Sequence, residues 1–330
     1  TCPCEREGTD MMTHEPLSDT RHSGLGWQER VGLGRVLVAT DLSPHSACAL
    51  VRALKLPLRP GAEILLVHVL PPTGVVGRNH EEEALAQHAL KEAEHHSRTK
   101  RARAACKVRS LLVRGTPAES ITRTARDFGA ELIVLGRPRR PGSLLARMRE
   151  RVAGGLIESI PTSLLIVGPP PVCPYQRPLV AVDFTEASRH ALEAVLRMCP
   201  GASRVAVLHN YDTSYGLVLH QSAAPQARIL EYQREARARA RAELHRFLAP
   251  YRDAGVRFDE FVRSGDAPAC IVEIAHEENA DLVAVGRHMR GGLGRLVRPH
   301  VAQQVAREST CDVLILEQEP PEAPPPGAAP

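Results

Sequence analysis

Aromatic residues are scarce in this chain: phenylalanine, tyrosine and tryptophan make up 3% of its 330 residues. Its cores must therefore be aliphatic, and the apolar runs consist mainly of Val, Leu, Ile and Ala, as expected for strands that are buried on both faces. The same scarcity leaves few rings on which nucleic-acid bases could stack. Because the net charge of +4 is too small to indicate nucleic-acid binding by itself, we expect no nucleic-acid partner.

Long hydrophobic runs and closely paired cysteines are also missing. No apolar stretch approaches the ~18 residues that a membrane helix needs, so we expect no membrane span. The eight cysteines are scattered, and the close pair Cys2 and Cys4 has no second pair at zinc-like spacing to complete it. We interpret the cysteines as reduced thiols of a cytoplasmic chain, and we expect no metal site.

Signatures of common enzymes are absent as well. The chain has no Walker lysine loop, no Gly-x-Ser-x-Gly nucleophile elbow and no dinucleotide fingerprint. His68 and His209 have no identifiable partner in the sequence that would orient either ring as a general base. Because no set of nucleophile, base and orienting group emerges, the sequence argues against a conventional enzyme and yields no catalytic residue.

One sequence pattern occurs twice in the chain. The aliphatic run before Asp41 returns before Asp183, 142 positions later, and the runs that end at Gly136 and Gly286 are 150 positions apart. A near-constant offset over separated segments indicates a tandem duplication of one domain. We therefore predict a first domain at 31–168 and a second at 177–318, joined by a Pro-rich linker at 169–176.

Both ends of the chain differ from the repeats in composition. Residues 1–30 lack the apolar core of a signal peptide. The chain starts with Thr1, and Met11 and Met12 follow as plausible starts, so it is open whether residues 1–10 are part of the native chain. We expect disorder at 1–30 and in the Pro-rich tail at 319–330, which cannot pack.

Each repeat alternates short aliphatic runs with longer amphipathic stretches, which is typical of a parallel sheet with crossover helices. Strands are predicted near 35–40, 63–69, 107–113, 131–136 and 163–168, and near 178–183, 203–209, 256–263, 281–286 and 312–317. Helices are predicted near 44–56, 80–104, 117–129 and 148–159, and near 185–198, 224–251, 267–279 and 299–309. The fold class is therefore α/β, with two tandem doubly wound domains of five parallel strands.

The loop residues that repeat best fall where such a sheet binds ligands. With strand 1 in the centre, a crevice opens between the carboxyl ends of strands 1 and 4. Asp41 and Gly136 end these strands in the first repeat, and Asp183 and Gly286 end them in the second. The aspartates could coordinate Mg²⁺ or hydrogen-bond an adenine or a ribose, or they could simply cap the following turn.

These features together resemble the universal stress protein family, over about 34–168 and 177–317. Besides the two aspartates, the resemblance rests on a histidine near the end of strand 2 (His68, His209) and on three phrases. The phrases are Gly115-Thr116-Pro117-Ala118-Glu119-Ser120-Ile121, its echo Gly265-Asp266-Ala267-Pro268-Ala269-Cys270-Ile271, and Arg290-Gly291-Gly292-Leu293-Gly294-Arg295. The resemblance implies Rossmann-like domains related to adenine-nucleotide alpha hydrolases. It also implies an intramolecular pseudo-dimer packed through the fifth strands, with further homo-oligomerisation left open.

The ATP-binding branch of that family carries Gly-x2-Gly-x9-Gly-[Ser/Thr] after strand 4. Glycines let the backbone approach the phosphates, and N–H groups at the start of the next helix bind them. The second repeat keeps Gly286 but has Met289, Pro299 and His300 at the other positions. The first keeps Gly136 but has Arg139, Arg149 and Glu150. Proline has no N–H to donate, and a glutamate opposes an anion, so we predict that ATP binding in the usual geometry is lost or weak in both repeats.

Three hypotheses about function remain, and the third is a pure scaffold whose crevices are empty. The first is a stress-response protein that binds a ligand or unidentified protein partners, without turnover and without a required cofactor. The alternative is a switch that binds ATP or another nucleotide, mainly in the second repeat, through Asp183, Gly286, Gly291, Gly292 and Gly294, with Asp41 and Gly136 as the corresponding residues of the first. The loop after strand 4 of the first repeat is rich in arginine: Arg137, Arg139, Arg140, Arg147, Arg149 and Arg151. These side chains could replace the lost backbone donors, or they could simply solvate an exposed loop.

Overall fold

The computed structural model describes residues 32–72, 80–100, 106–137, 151–157, 162–168, 174–211, 225–286 and 301–316. The expectations for both termini, for most of the linker and for the glycine-rich loop at 290–295 concern residues outside these ranges. Among the helices in the described part of the chain, none combines the length and the apolar character needed to cross a bilayer.

The first half contains the five strands that the sequence predicts. They are β1 (Leu33–Ala39), β2 (Leu58–Leu70), β3 (Lys107–Arg114), β4 (Leu132–Gly136) and β5 (Ser163–Val167). The helices are α1 (Pro44–Ala53), α2 (His80–Lys100), α3 (Pro117–Phe128) and α4, which is described at 151–157. Strand β2 begins five residues before its predicted start, because Leu58 pairs with Leu33 ahead of a register shift.

The second half repeats this order. Its strands are β6 (Pro178–Val182), β7 (Arg204–Tyr211), β8 (Arg257–Ser264), β9 (Leu282–Gly286) and β10 (Asp312–Leu316). Its helices are α5 (Glu186–Met198), α6 (Gln226–Leu248), α7 (Ala267–Glu277) and α8 (Val301–Glu308). The helix predicted at 224–251 is shorter than expected, because its last turn, Ala249–Tyr251, tightens into a 3-10 helix around Pro250.

All ten strands form one sheet in the order β3-β2-β1-β4-β5-β10-β9-β6-β7-β8. Strand 1 is central in each half and strands 2 and 4 flank it, so the predicted doubly wound topology is confirmed. The halves join where β5 pairs with β10, antiparallel, with Leu165 opposite Leu314. The predicted packing through the fifth strands is therefore confirmed.

The core is aliphatic and extends through both halves. Val36, Leu37 and Val38 on the central strand β1 are fully buried. Each face of the sheet carries one hydrophobic cluster with members from both halves. At the joint, where β5 pairs with β10, the core of each half packs against the core of the other. The two repeats therefore form one packed unit rather than two separate domains.

A buried polar network lies at the joint. Asp312 on β10 accepts hydrogen bonds from Arg52 Nε of α1 at 2.8 Å, from the Tyr175 hydroxyl at 2.7 Å and from the backbone N–H of Gly168 at 2.7 Å. The Arg52 guanidinium also lies 4.0 Å from the centre of the Tyr175 ring. Burial, reinforced by Asp312, raises the pKa of the Tyr175 hydroxyl well above its ordinary value.

The duplication provides no second copy of this network. At the sequence offsets of the repeat, Arg52 corresponds to Ala194, and Asp312 corresponds to Ser163. The joint is therefore not symmetric. Arg52 of the first half pairs with Asp312 of the second, and the equivalent positions, Ala194 and Ser163, cannot form an ion pair.

Candidate functional site

A crevice opens between strands 1 and 4 of each half, where the sequence predicts it, but the two differ in size. The first has a volume of about 420 Å³ and the second of about 220 Å³. Asp41 and Gly136 line the first crevice, and Asp183 and Gly286 line the second. The structure thus brings each predicted pair together.

The turn after each aspartate has the same unusual backbone. Leu42 has a φ of 62° and Phe184 a φ of 64°, in the left-handed region that residues with a side chain rarely adopt. The next helix is capped directly after this turn: Ser46 N–H donates to the Ser43 hydroxyl, and Ser188 N–H donates to the Thr185 hydroxyl. This strained turn, repeated at equivalent positions, sets each aspartate at the mouth of its crevice.

In the first half, the hydroxyl groups of Thr40 and Ser46 lie within hydrogen-bond distance of each other and of backbone groups. Thr40 Oγ1 accepts the N–H of Leu42 at 3.0 Å and lies 2.8 Å from Ser46 Oγ. The Ser46 hydroxyl donates to the carbonyl of Ser43 at 2.9 Å. Asp41 Oδ1 accepts the backbone N–H of Ser43 at 3.1 Å, so this aspartate does cap its turn.

In the second half, the corresponding hydroxyl groups bond to the aspartate itself. Thr185 Oγ1 lies 2.5 Å and Ser188 Oγ 2.7 Å from Asp183 Oδ1. The N–H of Thr185 points to the same oxygen at 3.3 Å. The capping role that the sequence left open is therefore strong for Asp183, whose Oδ1 is occupied by three neighbouring donors.

His68 and His209 are oriented by backbone carbonyl groups, which the sequence could not reveal. Nδ1 of His68 lies 2.8 Å from Thr40 O, and Nδ1 of His209 lies 2.9 Å from Val182 O. Because a carbonyl oxygen can only accept, Nδ1 carries the proton, and Nε2 is an acceptor when the ring is neutral. His68 lines the first crevice, whereas the ring of His209 stacks on Phe184 at 4.1 Å between centroids.

Gly286 has a packing reason to be glycine. A Cβ at this position would lie 3.0 Å from both the carbonyl carbon and the Cβ of Ala187, in the first turn of α5. A backbone neighbour at that distance cannot easily move. The glycine at position 286, which matches a phosphate-binding motif, is therefore also explained by the close approach of β9 and α5.

The arginines of the first half do not act as one group. Arg137 turns away from the crevice to the joint, where its guanidinium donates to the carbonyl groups of Ser309 and Cys311. Burial lowers the pKa of Arg137 from its ordinary value. Arg151, in contrast, lines the first crevice. The expectation that Arg137 serves a ligand or an exposed loop is thus wrong, because its hydrogen bonds close the joint.

Several residues of the first crevice were missed by the sequence analysis as site candidates. Thr40 and Ser46 supply hydroxyl groups, and Thr116 adds another at the start of α3, where its side chain makes no capping bond. Ile121 and Val152 contribute apolar walls from α3 and α4. The repeat itself holds a signal for the first of these, because the threonine before Asp41 is replaced by Val182 before Asp183.

The remaining positions of the ATP-type motif lie outside the described residues. They are Arg139, Arg149 and Glu150 in the first half and Met289, Pro299 and His300 in the second. The candidate binding residues Gly291, Gly292 and Gly294 lie outside the described residues too. The predicted loss of ATP binding therefore stays a prediction. Within the described ranges, no group of three or more His, Cys, Asp or Glu side chains could hold a metal ion.

Comparison with known proteins gives a consistent result. The model of the universal stress protein family matches residues 32–168 and 174–317. A universal stress protein from Archaeoglobus fulgidus DSM 4304 is similar in structure, with a TM-score of 0.59 at 18% identity over 86% of this chain and 96% of the other. A functionally unknown protein from Pseudomonas aeruginosa PAO1 has a TM-score of 0.53 at 17% identity, over 87% and 93% of the two chains. A search of curated proteins gives no significant match.

Proposed function

The chain belongs to the universal stress protein family, and we propose that it acts by binding a small molecule in the crevice of its first half, without turnover. The observation that carries this proposal is the difference between the two crevices. A volume of about 420 Å³ lies in the range of ligand pockets, about 300–1,000 Å³. The 220 Å³ of the second crevice lies below that range.

The lining of the first crevice favours a ligand with a flat apolar body and a polar end. Aliphatic side chains from the sheet, α3 and α4 form the walls, and they include Val67, Ile121 and Val152. Thr40, Asp41 and Ser46 lie together at the end of β1. Such a combination suits a heteroaromatic ring joined to a sugar, because carboxylate oxygens accept hydrogen bonds from the pair of hydroxyl groups of a ribose. A nucleoside or a nucleotide has this chemistry.

The same features support the first half over the second as the binding site. Asp183 Oδ1 already holds two hydroxyl groups and a backbone N–H. These three donors leave Asp183 Oδ1 with less capacity to accept a hydrogen bond from a ligand. This moves the proposed nucleotide site from the second repeat, where the sequence hypothesis put it, to the first.

Binding without turnover is supported by the partners of the nearest hydroxyl groups. The described contacts of Ser46 Oγ are to Thr40 and to the carbonyl of Ser43. A nucleophile needs a base within hydrogen-bond reach, and the contacts of Ser46 include none.

Calorimetric titration of the full chain with adenosine, AMP and ATP tests the proposal, together with mass spectrometry of any nucleotide that co-purifies. We expect adenosine and AMP to bind, and Asp41→Ala to weaken binding by about tenfold, the effect of one lost charge-assisted bond. Asp183→Ala is the matched control, with an expected change below about twofold. Binding that depends on Asp183 instead would support the second-half site, and no binding of any probe would contradict the proposal.

A further inference from the structure

The residue before the aspartate differs between the two halves, and so does the direction of a nearby serine hydroxyl. Thr40 precedes Asp41 at the end of β1, and Val182 precedes Asp183 at the end of β6. The serine five positions after each aspartate, Ser46 or Ser188, is buried at the start of the following helix. The loops otherwise share their length, their caps and their positive φ angle.

In the first half, the Ser46 hydroxyl lies between the hydroxyl of Thr40 and the carbonyl of Ser43. Leu42 N–H donates to Thr40 Oγ1, and Ser46 donates to the carbonyl of Ser43. Either hydroxyl could donate across the 2.8 Å contact between Thr40 and Ser46. When Ser46 donates to the Ser43 carbonyl, Thr40 is the donor of that contact. Thr40 thus fixes the Ser46 hydroxyl in a chain that leads away from the Asp41 carboxylate.

In the second half, Val182 has no hydroxyl with which to form this chain. Ser188 Oγ then lies 2.7 Å from Asp183 Oδ1 and 3.1 Å from the carbonyl of Thr185. The shorter distance and the negative charge favour donation to the carboxylate. The backbone N–H of Asp183 points to the same serine oxygen at 3.2 Å, so serine and aspartate bond to each other.

We propose that Thr40 is a positioning residue for ligand binding: it holds Ser46 away from Asp41, and the valine at the equivalent position lets Ser188 occupy Asp183. The effect on affinity rests on the proposed function, because it requires a ligand that bonds to Asp41. An aspartate that already accepts a hydrogen bond from the serine hydroxyl is a poorer acceptor for such a ligand. The structural content of the proposal, the direction of the Ser46 hydroxyl, stands independently of any ligand. The second half shows that the same turn folds with valine, so Thr40→Val is expected to keep the fold.

The test combines crystal structures with adenosine titration of the full chain. In Thr40→Val we expect Ser46 Oγ to move within hydrogen-bond distance of the Asp41 carboxylate and the dissociation constant for adenosine to rise about tenfold. Thr40→Ser, which keeps the hydroxyl, should recover most of the affinity. Val182→Thr, which draws Ser188 off Asp183, is the matched change in the other half and should leave the adenosine affinity within about twofold.

A double variant separates positioning from a direct contact of Thr40 with the ligand. Once Ser46 is alanine, its hydroxyl can no longer occupy Asp41, so Thr40→Val in the Ser46→Ala background should change the affinity by less than about twofold. A tenfold loss in that background would assign Thr40 a direct contact and overturn the positioning role. A Thr40→Val crystal structure in which Ser46 stays on the Ser43 carbonyl would overturn it too, even if adenosine does not bind the wild type and the proposed function itself fails.

Discussion

Arg52 of α1 donates from Nε to Oδ2 of Asp312 on β10 over 2.8 Å, and the two side chains are 7% and 2% exposed. The pair joins residues 260 positions apart in the sequence. A charge buried at this depth depends on its partner, because removing one member leaves the other without compensation in a medium of low dielectric constant.

We therefore expect Asp312→Asn to lower the free energy of unfolding by about 3–5 kcal/mol, as measured by urea denaturation. Glu277→Gln is the control, since Glu277 pairs with Arg263 at 3.6 Å while 47% exposed, and such a surface pair contributes less than about 1 kcal/mol. Equal effects of the two substitutions would contradict the role given to the joint.

Arg137 should matter for stability and not for ligands. Arg137→Met removes the donors to the carbonyl groups of Ser309 and Cys311 and should cost about 1–3 kcal/mol of unfolding free energy for each acceptor left unsatisfied. Adenosine affinity should stay within about twofold in a calorimetric titration, because the guanidinium lies at the joint. If Arg137→Met weakened adenosine binding but left the free energy of unfolding unchanged, Arg137 would belong to the binding site after all.

The free energy of unfolding should fall at alkaline pH, because the buried thiol of Cys311 resists ionisation in the folded chain. Burial raises the pKa of Cys311 from 9.0 to about 12. The unfolded chain thus releases this proton at lower pH than the folded chain does. Its contribution to stability is complete below about pH 9 and is lost as the pH rises toward about 12.

Urea denaturation at a series of pH values measures this loss. The free energy of unfolding should fall less steeply with pH above about 9 in Cys311→Ala than in the wild type, by up to about 1.4 kcal/mol per pH unit for one proton. Parallel curves for the two proteins would show that the thiol does not contribute.

Gly286 should resist even the smallest substitution. In Gly286→Ala the new Cβ meets the backbone of Ala187 at 3.0 Å, and such overpacking typically costs about 1–3 kcal/mol. Gly154→Ala is the control, because a Cβ there meets nothing within 4 Å and alanine favours the helix by about 0.5–1 kcal/mol. Thermal unfolding of both variants compares them, and an equally stable Gly286→Ala would remove the packing explanation.

The altered motif predicts that phosphates add little to affinity. The second repeat has Met289, Pro299 and His300, and the first has Arg139, Arg149 and Glu150, where ATP-binding relatives carry glycine or a hydroxyl residue. We expect ATP, AMP and adenosine to bind within about threefold of one another in calorimetric titrations. An ATP dissociation constant at least about a hundredfold below that of adenosine would show that other groups have replaced the lost donors.

The repeat allowed the fold to be predicted because both copies obey the same local rules. Buried parallel strands are continuous aliphatic runs, and β1 with its aspartate and β4 with its glycine were recognised from those runs alone. The pairing of β5 with β10 followed from the family resemblance. Periodicity therefore sufficed for the order of elements and for the position of the crevices.

The rest of the site depended on contacts that no local pattern encodes. Arg52 and Asp312 meet only after folding, and Arg137 looked like part of an arginine-rich loop because its sequence neighbours are arginines. The role of Thr40 depends on a hydroxyl six positions away. Side-chain direction and cavity volume are set by packing across elements, which a single sequence leaves undetermined.

The antiparallel pairing of β5 with β10 also sets the direction in which each half faces. Because all strands within a half are parallel, their carboxyl ends lie along opposite edges of the common sheet in the two halves. The two crevices therefore open in opposite directions, and a ligand bound in one does not contact a ligand bound in the other. The common sheet of the two halves therefore has one crevice at each of two opposite edges, and the two crevices differ in volume.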